Sequence, residues 1–251
     1  MSAIWQQENS GNAWSLSVAD PNAEMLRRVA EAMANLDISV VYVGGATIAL
    51  YLDPYAASQV RTTLDVDCVV PTSTQIAHQR LEEQLRKLGF RHCQDDDAPI
   101  CRWNYEDLTV DIMSFDDSVL GFANRFSRLG FESAMNRELA PGCLIKTLTP
   151  RYFFASKVEA YETRGVQAPY ESKDLEDLVL MLDGAPGLES EIEAETDEVR
   201  TYIAQWAALF LRDSRARDLL DGHLPRGPLS EERIARVLGR LQRLAAPLPQ
   251  T

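Results

Sequence analysis

The stretch "RTTLDVDCVV", residues 61–70, decides the fold. It is apolar and β-branched enough to be a buried strand, yet Asp65 and Asp67 interrupt it. Alternate residues of a strand share a face, so the two carboxylates point the same way, about 7 Å apart along the chain. Like charges repel at that distance, and burying them costs more. A hard divalent cation between them removes the conflict, because it takes carboxylate oxygens and keeps positions for water and phosphate.

Upstream, "ISVVYV" reads as a buried strand, and "GGATIALYL" follows as a glycine turn, Gly44–Gly45, feeding a short apolar helix. Glycines at a helix start let backbone N–H groups approach phosphate, where the helix dipole favours anions. Earlier still, "ADPNAEMLRRVAEAMANL" is a helix with Asp20 as N-cap and Pro21 at its first position, after a loose lead-in over residues 1 to about 18. Downstream, "TSTQIAHQRLEEQLRKLGF" is an amphipathic helix with Ile76, Leu81, Leu85 and Leu88 as its apolar residues. "ICRWNYEDLTVDIMSF" is a hairpin turning at Glu106–Asp107 and carrying Asp111 on its second strand. "SVLGFANRFSRLGFESAM" reads as a helix interrupted by glycines, and "GCLIKTLT" as another strand. From Pro150 on, the segments "PRYFFASKVEAYETRG", "KDLEDLVLML", "LESEIEAETDEVRTYIAQWAALFL" and "SEERIARVLGRLQRL" are all helical, separated by Gly/Pro stretches. The layout is α+β: an α/β domain over 1–150, then a helical domain over 151–251.

Each part of the acidic pattern is weak alone. A strand-end turn explains Gly44–Gly45, and half-exposed strands often carry D-x-D. The ordered combination is stronger. Asp65 and Asp67 lie among Leu64, Val66, Cys68, Val69 and Val70, and Asp111 lies between Val110 and Ile112. Three acids embedded in apolar strands are costly without a ligand. With a nucleoside triphosphate and Mg²⁺, Asp65 and Asp67 hold the metal jointly. Asp111 then brings a third carboxylate for a second ion and for deprotonating an acceptor hydroxyl.

"VGGATIALYL", "RTTLDVDCVV" and "LTVDIMSF" together resemble the nucleotidyltransferase superfamily related to DNA polymerase β. The spacing from glycines to acids, the Arg-Thr-Thr before them, and "ASKVEAYETRG" followed by "SKDLEDLVLML" look most like the AbiEii/MenT-type nucleotidyltransferases of bacterial toxin–antitoxin and abortive-infection systems. The resemblance spans residues 38–183. It implies a polymerase β-like core, a mixed sheet with flanking helices, followed by a helical half that contributes to the active site. It implies that Gly44 and Gly45 form the phosphate turn and that Asp65, Asp67 and Asp111 are catalytic metal ligands. It implies further that Lys157 and Lys173 contact the triphosphate and that Asp174 is a supporting catalytic acid. Asp177, one turn on, is the alternative acid, and Arg164 reads as a surface residue. Arg61 is placed to reach phosphate. Superfamily members often carry serine where Gly45 stands, which leaves the backbone amide and Thr47 to bind the nucleotide here.

The implied activity is transfer of a nucleoside monophosphate from an NTP to a hydroxyl of a tRNA 3′ end or a protein. Mg²⁺, or Mn²⁺ in its place, is the cofactor, and a cognate antitoxin is the partner. A small-molecule nucleotidyltransferase of the antibiotic-modifying type is one alternative. A non-catalytic NTP-binding or antitoxin-like interaction module is the other. The net charge of −13 over 251 residues disfavours broad, non-specific nucleic-acid binding. A tRNA acceptor calls for a basic strip, for which Arg125, Arg128, Lys146, Arg151 and Lys157 are candidates, with scattered solvated charges as the bland reading. Four scattered cysteines (Cys68, Cys93, Cys101, Cys143) and three histidines form no zinc pattern. No apolar run approaches the roughly 18 residues of a membrane span, and the N-terminus does not read as a signal peptide, so a cytoplasmic protein is expected.

Overall fold

Asp65–Val70 is a strand, as its β-branched run predicts, and it lies in the middle of a seven-stranded mixed sheet. The computed structural model describes residues 6–7, 14–15, 20–121 and 123–246. In chain order the strands are β1 (Gln6–Gln7), β2 (Trp14–Ser15), β3 (Val41–Val43), β4 (Asp65–Val70), β5 (Arg91–His92), β6 (Arg102–Tyr105), β7 (Leu108–Ser114), β8 (Met135–Ala140) and β9 (Cys143–Thr147). The helices are α1 (Pro21–Met33), α2 (Pro54–Ala57), α3 (Gln75–Lys87), α4 (Asp117–Leu120), α5 (Ser127–Glu132), α6 (Pro150–Ala160), α7 (Lys173–Gly184), α8 (Leu188–Glu193), α9 (Glu198–Arg212), α10 (Ala216–His223) and α11 (Ser230–Ala245). The chain divides into two compact units, 1–50 with 61–149 and 51–60 with 150–251.

In the first unit the strand order is β5-β6-β7-β4-β3-β9-β8. Strands β4 and β7 are parallel, as are β3 and β9, and the other pairs are antiparallel. The face that carries Val66, Cys68, Val70, Val110 and Ile112 is fully buried. Helix α1 starts as read: the Asp20 carboxylate accepts from the Asn22 amide at 2.8 Å, with Pro21 at the first position. Strands β1 and β2 pair with each other; the rest of the expected lead-in lies outside the described residues.

Three local readings change. Ile76 is 64% exposed, and His78 takes its place on the buried stripe with Leu81 and Leu85. Thr74 caps α3, which sets 78, 81 and 85 on one face and turns position 76 away from it. The glycine-interrupted helix is two short ones, α4 and α5, with Gly121 at φ 81° ending the first. Strand β8 was not expected, because Arg137 and Glu138 break its pattern. It is a sheet edge, where charged residues are common.

In the second unit α7 is central. Leu175, Leu178, Val179, Leu180, Met181 and Leu182 are all buried, so this helix is apolar around most of its circumference. Its C-terminal carbonyls are capped by Arg240, which donates to Leu182 O at 2.8 Å and Ala185 O at 3.0 Å. Buried Arg233 holds Asp183 at 2.7 Å. The "IAQWAALFL" stripe is core, with Ile203, Trp206, Ala207 and Phe210 buried. Segment 51–60 packs here because Gly184 has no side chain: a Cβ on it would lie 2.1 Å from Ala56 Cβ. The Asp53 amide donates to Gly184 O at 2.8 Å.

Candidate active site

Sheet register assembles the acids. Asp67 stands opposite Asp111 across the parallel β4–β7 pair, and neighbouring strands are about 4.8 Å apart. Asp65, Asp67 and Asp111 therefore share a face, as the strand reading required. Asp65 and Asp67 are half-buried, while Asp111 is buried. The Thr63 hydroxyl donates to Asp65 Oδ1 at 2.9 Å. A fourth residue, absent from the sequence reading, joins this face. Arg102 on β6 stands opposite Asp111. Its Nε donates to Asp111 Oδ1 at 2.9 Å and its Nη2 to Oδ2 at 2.8 Å, while Nη2 lies 3.6 Å from Asp65 Oδ2. Donating to Asp111 raises the Arg102 pKa further, and a guanidinium is charged in any case. The signal was present: pairing outward from a turn at Glu106–Asp107 puts residue 102 against residue 111.

The glycine turn is built around the acids as well. Gly44 has φ 73°, and a Cβ there would lie 1.9 Å from Asp67 Oδ2, so only glycine lets this carboxylate approach. A Cβ on Gly45 would lie 3.2 Å from Arg61 Nη2, which puts the Arg61 guanidinium beside the turn. Thr47 is fully buried, and its hydroxyl donates to Gly44 O at 3.0 Å, closing the turn from within. Asn22, another residue the sequence did not single out, clamps the approach to β4. Its amide nitrogen donates to Arg61 O at 3.0 Å and its oxygen accepts from the Thr63 amide at 3.0 Å.

The helical unit gathers the other predicted residues. Lys157 is buried, with Nζ 3.1 Å from Asp174 Oδ1 and 2.6 Å from Asp177 Oδ2. Arg164, read from sequence as a bystander, is exposed yet grips Asp174 with Nε at 2.7 Å and Nη2 at 3.0 Å. Burial alone would raise the Asp174 carboxyl, but Arg164 and Lys157 outweigh it and hold it below its ordinary value. Lys173, one residue earlier, is exposed. Of the basic-strip candidates, Arg151 is buried against Glu195 and Asp197, Lys157 is held by its two aspartates, and Arg128 pairs with Asp116.

Among the described residues no three or more His, Cys, Asp and Glu side chains form a metal-holding group. Two carboxylates do fit a divalent cation. Asp65 and Asp67 are co-facial and half-exposed, and Mg²⁺ commonly takes one or two carboxylates and completes its shell with water and phosphate. Asp111 is paired through both oxygens with Arg102.

A mixed sheet carrying D-x-D beside a glycine turn, with a third acid in register on the next strand, defines the nucleotidyltransferase class. The chain belongs to the family described as Nucleotidyl transferase AbiEii toxin, Type IV TA system, whose match covers residues 30–246. It is similar to the crystal structure of an antigenic nucleotidyltransferase-like protein from Paracoccidioides brasiliensis, at 21% identity over 81% of this chain and 94% of that one, with a TM-score of 0.51. That likeness is one of fold. The chain is also similar to ANT(2″)-Ia in complex with adenylyl-2″-tobramycin, at 15% identity, 76% and 99% coverage and a TM-score of 0.47. No curated protein matches it. Among the described residues no helix is long and apolar enough to cross a membrane.

Proposed function

We propose that this chain is the toxin enzyme of a toxin–antitoxin pair. It transfers a nucleoside monophosphate from an NTP to a hydroxyl of a tRNA 3′ end or a protein, and pyrophosphate leaves. One observation carries the reading: Asp65 and Asp67 share a strand face beside the Gly44–Gly45 turn, with Asp111 in register on the neighbouring strand. Asp65 and Asp67 hold Mg²⁺ or Mn²⁺, which when bound supplies Lewis-acid charge at the triphosphate oxygens. Arg61, beside Gly45, offers a guanidinium to a phosphate oxygen. Asp111 is the base for the acceptor hydroxyl once Arg102 frees one of its oxygens. In the helical unit Lys173 is exposed, whereas Lys157 is held by Asp174 and Asp177.

The test incubates the protein with each labelled NTP, Mg²⁺, and total tRNA or cell extract. Label enters the tRNA or the protein fraction with wild type and not with the Asp65→Asn, Asp67→Asn double variant. Transfer that survives the double variant overturns the assignment. No transfer by wild type under any of these conditions favours a binding module, and label on a small molecule favours the antibiotic-type alternative.

A further inference from the structure

Arg102 has the geometry of a ligand lock. Its two donors engage both Asp111 oxygens, at 2.9 and 2.8 Å, and the same Nη2 leans to within 3.6 Å of Asp65 Oδ2. A carboxylate held bidentately by a guanidinium has one lone pair of each oxygen in a charge-assisted bond and shares its charge with that cation. A divalent ion at Asp111 would draw on the same negative charge and lie against the guanidinium. Arg102 therefore weakens Asp111 as a cation ligand. Hairpin register fixes the pairing, because β6 and β7 set position 102 against position 111. The Arg102 side chain is 30% exposed, so it has a way out to solvent that buried Asp111 lacks.

We propose that Arg102 is a positioning residue that occupies Asp111 as a built-in counter-cation, in competition with a second divalent ion. The resting protein then takes up one divalent cation, on Asp65 and Asp67. Asp111 draws a second cation strongly only when Arg102 swings away, so Arg102 sets the cation affinity and stoichiometry of the acid face. This rests on the reading of Asp65 and Asp67 as cation ligands.

Titrating the full chain with Mn²⁺ alone, with free Mn²⁺ followed by electron paramagnetic resonance, tests it without any turnover. Wild type takes a single equivalent. Arg102→Gln binds Mn²⁺ about tenfold tighter or takes a second equivalent, because Asp111 and Asp65 lose the guanidinium that faces them. In thermal melts the same variant is weakened without Mn²⁺ and recovers more than wild type when Mn²⁺ is added. Arg102→Lys keeps the charge without the fork and falls between the two. If Arg102→Gln titrates as wild type while the Asp65→Asn, Asp67→Asn variant loses binding, the role of Arg102 is refuted and the cation site stands. If the double aspartate variant binds Mn²⁺ as wild type does, the cation site fails, and the inference goes with it.

Discussion

The two units hold carboxylates in opposite ways. On the sheet, Asp65 and Asp67 are half-buried on one face, and Asp111 is fastened by a single arginine. On α7, Asp174 and Asp177 are buried and share Lys157, with Arg164 added to Asp174. The strand arrangement concentrates negative charge where a ligand can reach it, at a cost in repulsion. The helical arrangement pairs its buried charge with its own cations.

The sharpest way to break this contrast is the strand pair. Asp65→Asn with Asp67→Asn lowers transfer by about a thousandfold, since the cation's share of transition-state stabilisation is several kcal/mol. Its melting temperature stays level. A clear drop in stability would show that these acids belong to the fold. Lys157→Met is the mirror experiment. It removes the lysine that Asp174 and Asp177 share in the interior and costs about 3 kcal/mol in urea unfolding; a variant as stable as wild type would mean that Lys157 is not what holds this cluster. Gly44→Ala comes next. The left-handed backbone costs about 1–2 kcal/mol, and the added methyl forces Asp67 aside, so stability and Mn²⁺ affinity fall together. A loss of stability with Mn²⁺ affinity intact would separate the turn from the acid.

The smallest effect is in pH. Asp174 titrates below its ordinary value of 3.8 in the folded chain. Its contribution is therefore complete above that value and is lost as pH falls through the depressed folded one. Asp174→Asn flattens the acid limb of stability below about pH 4. An unchanged limb would place the acid sensitivity elsewhere.

Local signals made much of this legible. A β-branched run, a D-x-D and a glycine pair fixed β4 and its turn, and a hairpin turn at Glu106–Asp107 brought Asp111 in. The third acid's register on Asp67 follows from a parallel pairing that alternation along one strand cannot show. Arg102 escaped because cross-strand partners emerge only when the hairpin is paired off residue by residue. Asn22 escaped because its partners, the Arg61 carbonyl and the Thr63 amide, are far off in sequence. Gly44 was read for phosphate, but its immediate reason is the approach of Asp67. Arg164 looked like surface because most of it is; only its tip meets Asp174.

The seam at residues 51–60 has a consequence for how the chain comes into being. This segment leaves the ribosome directly before the strand that bears Asp65 and Asp67, yet its partner Gly184 is made far later. Until then the Asp53 amide and the small face of Ala56 have nothing to close on. The helical unit is thus bound to long-range closure, the slow kind. A fragment cut at residue 149 keeps every acid of the sheet but carries a loop whose mate was never synthesised.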